Sequence, residues 1–385
     1  MKRTQPTSLA ILATVLSMPG VLAQFDAGSD GSDGALNILA NTTTVAPPDG
    51  IFNFTTVTIA SGARWVILPN ANGTPVYVLS QGDVVINGYL DVNGQRGDAV
   101  SGGRAGAGGF PGGNPGSAGT PPGDGQGPGG GKGGAGSTSA DGAGAGGHAS
   151  AGSGGNSTKH GGSYGSALLM PPEGGASGGG TTGTPGDGGG GGGGAITIAS
   201  NTRIALDQNA RVEAIGGTSS GGAYNGGAGG SIRLVAPKVE GSGQLYSYGQ
   251  GGGGHGRNRV DTTDRTNLAL RYNRGEYTTI GSMMVVRPDP FPRLDVIQAA
   301  GTDIPLGSGP VQVLLPFGAD PNVSVMVQAT DFNAVVPIRL VLTPDNGPGT
   351  SYDAEIDNAS DNPATTTVNV TLPINTQTTI RVWTR

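Results

Sequence analysis

Residues 82–94 read GDVVINGYLDVNG, residues 194–217 read GAITIASNTRIALDQNARVEAIGG, and residues 230–250 read GSIRLVAPKVEGSGQLYSYGQ. Each phrase leaves a glycine and enters an apolar alternation: Val84/Ile86, Ile196/Ile198 and Ile232/Leu234. A short polar turn follows, then a second alternation (Leu90/Val92, Val212/Ala214, Leu245/Ser247), then glycine again. Period two sends successive side chains to opposite faces, which is the pattern of a β-strand. A weaker copy runs from Phe54 to Ile59 and from Ala63 to Leu68. Two short strands, a turn and a return to the same opening describe one rung of a parallel β-helix, in which a rung buries its apolar face only against a stacked neighbour. About five such rungs fit between residues 36 and 260. Two-strand units also describe a meander of hairpins in a β-sandwich. The repeated return to one phrase favours the solenoid.

Working outward, the phrase ending at Gly94 and the phrase starting at Gly194 are separated by a glycine tract. Of 77 glycines in 385 residues, 42 lie between Ser101 and Gly194. The reading is an insertion, residues 95–194, at one turn of the solenoid. Two physical states are open for it. One is a solvated, flexible loop. The other is a set of packed left-handed extended helices, which need glycine at every third residue where backbones touch. Short registers of that kind exist at Gly103/Gly106/Gly109/Gly112, at Gly113/Gly116/Gly119 and at Gly127/Gly130/Gly133/Gly136.

Toward the C-terminus the composition changes. Residues 261–293 read as a basic connector, within a strip carrying arginines 257, 259, 265, 271, 274, 287 and 293. Residues 294–385 carry strand patterns at Val311–Leu315, Val323–Ala329, Pro337–Leu342, Tyr352–Ile356, Thr366–Leu372 and Thr378–Trp383. Short strands separated by turns such as Pro344-Asp345-Asn346-Gly347 fit a small immunoglobulin-like β-sandwich. No long stretch has a 3.6-residue period, so the expectation is an all-β protein.

At the other end, residues 1–23 have the form of a secretory signal peptide: Lys2 and Arg3, an apolar run from Leu9 to Leu16, and Val21-Leu22-Ala23 at the cleavage position. The run is shorter than a membrane span. The mature protein, residues 24–385, is expected outside the cell or at its surface.

Composition excludes several chemistries. There is no cysteine, hence no disulfide, thiolate-metal site or cysteine nucleophile. A net charge of −6 argues against nucleic-acid binding. His148, His160 and His255 lie in or beside glycine tracts, with no HExxH spacing to make a zinc site. GxSxG occurs around Ser163, Ser177 and Ser219, but without the strand-to-helix context that activates a serine. Asp26, Asp30 and Asp33 are spaced among glycines and are candidate calcium ligands outside any EF-hand pattern. No cofactor is implied. Asp83, Asp91, Asp207 and Glu213 are the carboxylates to consider if the chain cleaves polysaccharide, as a lyase or hydrolase working with paired acids. Irregular threonine spacing does not fit an ice-binding row.

The order DGIFNFTTVTI, GDVVINGYLDVNGQRG, a glycine tract, GGGAITIAS and GGAGGSIRLVAP, over residues 28–260, resembles uncharacterised glycine-rich exported proteins of Gram-negative bacteria with β-helix-like repeats. The glycine registers are similar in composition to phage tail-fibre adhesins and to a glycine-rich antifreeze protein. The resemblance implies export and brings no catalytic residues. The expectation is therefore a non-enzymatic structural or adhesive protein. Its partner would be an extracellular polysaccharide, a cell-surface component or another copy of itself.

Overall fold

The computed structural model describes residues 25–136, 142–154, 156–183, 186–220, 224–273 and 275–385. The segment 1–23, expected from the sequence to be a signal peptide, and Arg274 lie outside the described residues. The architecture is all-β. The chain first makes β1 (Ala35–Ile38), β2 (Thr42–Val45) and β3 (Ile51–Phe54), then β4 (Thr56–Ile59), β5 (Arg64–Leu68) and β6 (Val76–Ser80). It continues with β7 (Val84–Ile86), β8 (Tyr89–Asp91) and β9 (Ala195–Ser200), β10 (Arg203–Leu206), β11 (Arg211–Glu213) and β12 (Ser231–Val235), and β13 (Lys238–Gly241), β14 (Gln244–Tyr246) and β15 (Arg257–Asp261). It ends this part with β16 (Arg271–Tyr272) and β17 (Thr278–Gly281).

Every strand pairs in parallel with the strand three positions later, until β16 and β17 close sheets B and C two positions after β14 and β15. Three parallel sheets result. Sheet A is β1-β4-β7-β10-β13, sheet B is β2-β5-β8-β11-β14-β16, and sheet C is β3-β6-β9-β12-β15-β17. Each pass of the chain thus contributes three strands, where the sequence suggested two. The phrase at 194–217 spans β9, β10 and β11 and so begins in the last sheet of one pass. It crosses into the next.

Identical registers stack like on like. Val57, Val84, Ile204 and Val239 align in sheet A. Trp65, Leu90, Val212 and Leu245 align in sheet B. Val78, Ile198, Leu234 and Val260 align in sheet C. All are fully buried in one core. Burying each such side chain is worth roughly 1.5–3 kcal/mol. No rung could bury them alone, since each ring of side chains is roofed by the next.

Sheet C is buried on its outer face too. Tyr77, Leu79, Ala199 and Val235 are covered by Ala27 from the N-terminal segment and by Val286 from the segment after β17. Arg233, fully buried, fixes that covering strap. Its guanidinium donates to the carbonyls of Met283 (3.2 Å), Val285 (2.8 Å) and Val286 (3.2 Å). Its charge meets Asp261 at 2.9 Å, and Asp261 also takes two bonds from Arg259 at 2.7 Å. Burial pushes the Arg233 guanidinium below its usual value, against the pull of Asp261.

The segment 261–293, expected as a connector, instead supplies β16 and β17 to the parallel sheets. Its arginines are engaged there: Arg265 donates to Gly281 O (2.9 Å) and Arg271 to Ser242 O (3.0 Å). Sequence reading failed because these last strands are short and lack the apolar alternation.

All the glycine-rich segments leave the stack at one corner, between sheets B and C. Residues 92–194 connect β8 to β9, residues 214–230 connect β11 to β12, and residues 247–256 connect β14 to β15. They pack together as an ordered layer with bonds at every third residue, the repeat of a left-handed extended helix with three residues per turn. The segment Asp187–Gly194 is its centre. Gly188, Gly191 and Gly194 donate to Asp98, Gln95 and Val92. Gly189 and Gly192 donate to Gly113 and Phe110, and Gly190 and Gly193 to Asn225 and Ala228. The carbonyls in turn accept from Thr181, Gly178 and Gly175, from Gly103 and Gly106, and from Gly217. Six neighbouring segments surround this one. Glycine is obligatory here: a Cβ on Gly192 would lie 1.7 Å from Gly175 O, and one on Gly189 would lie 1.9 Å from Gly178 O.

The two open states are thereby decided for the described residues in favour of packed extended segments. The chain turns at and within the registers seen in the sequence: Gly119 ends one and Gly127 begins another, with φ of +80° and +96°, and the turn that bonds Gly109 N to Gly106 O falls inside the first.

The C-terminal part has β18 (Arg293–Ala299), β19 (Thr302–Asp303), β20 (Asn322–Thr330), β21 (Val335–Pro344), β22 (Thr350–Asp357), β23 (Ala364–Thr371) and β24 (Thr378–Thr384). They form two antiparallel sheets, β19-β18-β20-β23 and β22-β21-β24, around one core that includes Val325, Val327, Ile338, Leu340 and Val370. The expected strand at Val311–Leu315 does not form. This part docks on the glycine layer. Trp383 packs edge-on to Phe110 (6.3 Å), Gly349 N donates to Asp124 Oδ2 (2.9 Å), and Arg381 donates to Gln126 Oε1. Burial lowers the Arg381 guanidinium to about 10.

Candidate functional site

The outer face of sheet B carries chemistry that the fold does not consume. Outward positions alternate with the buried column of Trp65, Leu90, Val212 and Leu245. One outward row is Arg64, Tyr89, Arg211, Gln244 and Arg271 in consecutive register. The adjacent row is Val66, Asp91, Glu213 and Tyr246. Parallel strands put these rungs ~4.8 Å apart, so cations and rings interleave. The Arg211 guanidinium lies over Tyr89 (5.3 Å to the centroid) and over Tyr246 (5.4 Å), and Arg64 lies over Tyr89 at 6.0 Å. Tyr248 extends the row, edge-on to Tyr246 at 6.1 Å. The three tyrosines are half-buried. Each presents part of an aromatic surface on a frame that cannot rotate.

Asp91 and Glu213, two of the four carboxylates singled out from the sequence, meet here. Both bond the same Arg64 nitrogen, Glu213 at 3.0 Å. Asp91 Oδ1 also accepts from Asn93 N (2.7 Å), and Glu213 Oε2 from Asn93 Nδ2 (3.1 Å). Burial would lower the Arg64 pKa, but the two carboxylates outweigh it and hold the guanidinium above its usual value. These acids are therefore spoken for as anchors of Arg64 and Asn93. Beside them a shallow groove of about 160 Å³ opens along the rim of the glycine layer, lined by Asn93, Gly94, Arg96, Gly216, Thr218 and Gln250.

The other two carboxylates lie elsewhere. Asp83 belongs to sheet A, where it accepts from Thr202 (2.6 Å) and Arg203 (2.8 Å), and Arg203 bridges on to Glu240 at 2.8 Å. Burial would raise the Asp83 pKa; these bonds outweigh it and hold the carboxyl below its usual value. Asp207 sits at the turn between sheets A and B, on the edge of a wider depression of about 670 Å³. Asp26, Asp30 and Asp33 are not brought together as ligands. Each side chain accepts one backbone N–H, from Gly28 (2.9 Å), Ser32 (2.8 Å) and Asn53 (2.6 Å). Among the described residues, no three His, Asp or Glu side chains converge as metal ligands. Ser177 is buried, with Oγ donating to Pro111 O at 2.6 Å.

Sequence reading missed Arg64, Tyr89 and Arg211 as a group. The signal was present in their offsets from the buried residue of each second strand, since Arg64, Tyr89, Arg211 and Gln244 each immediately precede it.

No family model, curated protein or solved structure matches this chain. The geometry stands alone. In the described residues no helix is long and apolar enough to cross a membrane.

Proposed function

We propose that this chain is an exported, non-enzymatic adhesive protein that holds an extracellular polysaccharide along the outer face of sheet B. In this reading the three parallel sheets are a β-helix serving as a rigid stalk. The glycine layer is a slab displayed at one corner, and the C-terminal sheets are an immunoglobulin-like sandwich docked on it. The observation that carries the proposal is the ladder of Arg64, Tyr89, Arg211 and Gln244, in register over four consecutive passes, with Tyr246 of the adjacent row against Arg211. Tyrosine faces suit the apolar faces of sugar rings, and guanidinium and amide groups suit their hydroxyls. Three arginines against two carboxylates leave the face close to charge balance, which favours a neutral polymer over a polyanion. The leader at residues 1–23 and the likeness to exported glycine-rich proteins support export.

A second reading, cleavage of the polysaccharide, draws on the juxtaposition of Asp91 and Glu213 beside the groove. It is disfavoured by the bonds that already occupy both acids. A glycan array followed by a reducing-end assay on retained polymers separates the two. The proposal expects retention that Tyr246→Ala weakens at least about tenfold, a loss of ~1–2 kcal/mol per stacked ring, with no new reducing ends. Retention unchanged by Tyr246→Ala and Arg211→Ala together would refute the site.

A further inference from the structure

Between β19 and β20 the chain runs from Ile304 to Pro321 outside any strand, bonded to the sheet at its ends by Ile304 N to Ile297 O (2.8 Å) and Leu372 N to Pro321 O (2.9 Å). Inside it, Val311-Gln312-Val313-Leu314-Leu315 has the period-two, β-branched pattern of a strand, bounded by Gly309-Pro310 and by Pro316. These five residues make no backbone hydrogen bond. Most of their apolar side chains face solvent: Val311 and Leu315 are each 40% exposed, Leu314 81% and the neighbouring Phe317 fully, with Val313 half-buried. A segment with a strand's sequence, no strand partner and this much exposed apolar surface has the character of a strand waiting for an edge.

The same chain supplies an edge. β23 ends the sheet β19-β18-β20-β23, with β20 on one side and no strand on the other. It is eight residues long, Ala364–Thr371, with no charged residue and no proline. The other free edges of the two antiparallel sheets are defended or short. β22 carries Asp353, Glu355 and Asp357, β19 has two residues, and β24 presents Arg381 and Trp383 to the glycine layer. Charges and brevity are how edge strands avoid pairing, and β23 has neither. Thr371 N is taken by Tyr352 Oη at 3.0 Å, which caps one end.

We propose that Val311–Leu315 of one copy adds as a strand to the free edge of β23 in a second copy, so that the protein assembles with itself. Val311, Val313 and Leu315 would fall on one face of the added strand and extend the apolar inner face formed by Val368 and Val370. The occupant is another copy and not a lipid surface. From Asp303 to Asp320 there is no basic residue, and the acids at both ends are repelled by anionic headgroups. Donor and acceptor are different surfaces. Reciprocal exchange therefore closes a dimer, and one-way exchange runs into a filament.

The test uses the full mature chain, which has no cysteine of its own. Light scattering across a concentration series is expected to show association for the wild type. Val313→Pro removes an N–H that the free chain does not use and is expected to weaken association about tenfold or more, with an unchanged melting temperature. Mixing a Gln312→Cys variant with a Thr367→Cys variant under oxidising conditions is expected to give a covalent dimer. Ser360→Cys in place of Thr367→Cys is expected not to. Monomers at every concentration, equal cross-linking at Ser360→Cys, or flotation with neutral or anionic vesicles without self-association would each overturn the proposal.

Discussion

Replacing Gly192 by alanine probes the glycine layer at its centre. The added Cβ would stand 1.7 Å from Gly175 O, where ordinary contact needs 3.4 Å or more. The two segments must separate by about 1.7 Å. That stretches the bonds joining them, now at 2.8 and 3.1 Å (Gly175 N to Gly193 O, Gly178 N to Gly190 O), past any useful length, and it strains Gly192 N to Phe110 O at 2.8 Å. Two lost bonds cost about 1 kcal/mol each, and their stranded buried groups cost about 1–3 kcal/mol more apiece where water cannot reach them. The lower entropy of the unfolded alanine chain returns about 0.4–1 kcal/mol. The net expectation is a loss of at least about 3 kcal/mol, confined first to the layer. Gly162→Ala is the control, since nothing lies within 4 Å of a Cβ there. Urea unfolding followed through the two tryptophans separates regions: Trp65 reports the parallel-sheet core, and Trp383 the junction with Phe110. Amide exchange at Gly189–Gly193 is expected to be strongly protected in the wild type and to open in Gly192→Ala. If Gly192→Ala and Gly162→Ala unfold alike, and the Gly189–Gly193 amides exchange as in wild type, the packed-layer argument is wrong.

Asp261→Asn leaves two arginines, one fully buried, without their counter-charge. A loss of about 3–5 kcal/mol is expected, with proteolysis appearing first in the strap at Met283–Val286. His148 is fully buried with Nδ1 2.8 Å from Gly229 O, so Nδ1 carries the hydrogen. Burial lowers its pKa from 6.5 to about 4. The unfolded chain thus takes a proton that the native chain refuses between those values. Stability present above pH 6.5 is lost as pH falls toward 4, by about 3 kcal/mol in all. Burial raises the nearby Glu173 carboxyl, whose contribution runs the other way and is lost as pH rises through its folded value. His148→Phe is accordingly expected to flatten the acid limb of a stability–pH curve between 6.5 and 4, and an unchanged limb would refute the assignment. Leu90→Ala, in the fully buried column of sheet B, is expected to cost about 2–5 kcal/mol in equilibrium unfolding.

The parallel sheets were legible because each pass repeats the same apolar phrase. The second alternation of each phrase aligns Leu90, Val212 and Leu245 as the structure stacks them, whereas Val84/Ile86, aligned in the sequence with Ile196/Ile198 and Ile232/Leu234, stacks instead on Ile204/Leu206, and the other two pairs stack on each other in sheet C. The third strand per pass was not legible. β9 and β12 open their phrases as apolar alternations, but β10 and β13, four residues each, lie where the sequence reads as the short polar turn between two strands. Order in the glycine layer was beyond sequence reading for a different reason. Gly192 is held by Phe110 and Gly106, more than eighty residues away, and composition does not encode which segments meet. Val311–Leu315 shows the converse: strand propensity is present, and the partner edge is missing within the chain. At the candidate site, Asp91 and Glu213 were named as acids to test, but their shared partner Arg64 only emerges once β5, β8 and β11 are in register.

The most direct measurement of the central claim is retention of immobilised polysaccharides by wild-type protein and by Arg211→Ala, with release of reducing ends followed in the same samples. The account predicts that a neutral polysaccharide is retained by wild type, that Arg211→Ala loses at least about tenfold in affinity while keeping its fold, and that no reducing ends appear. Reducing ends that form with wild type and vanish with Glu213→Gln would contradict it.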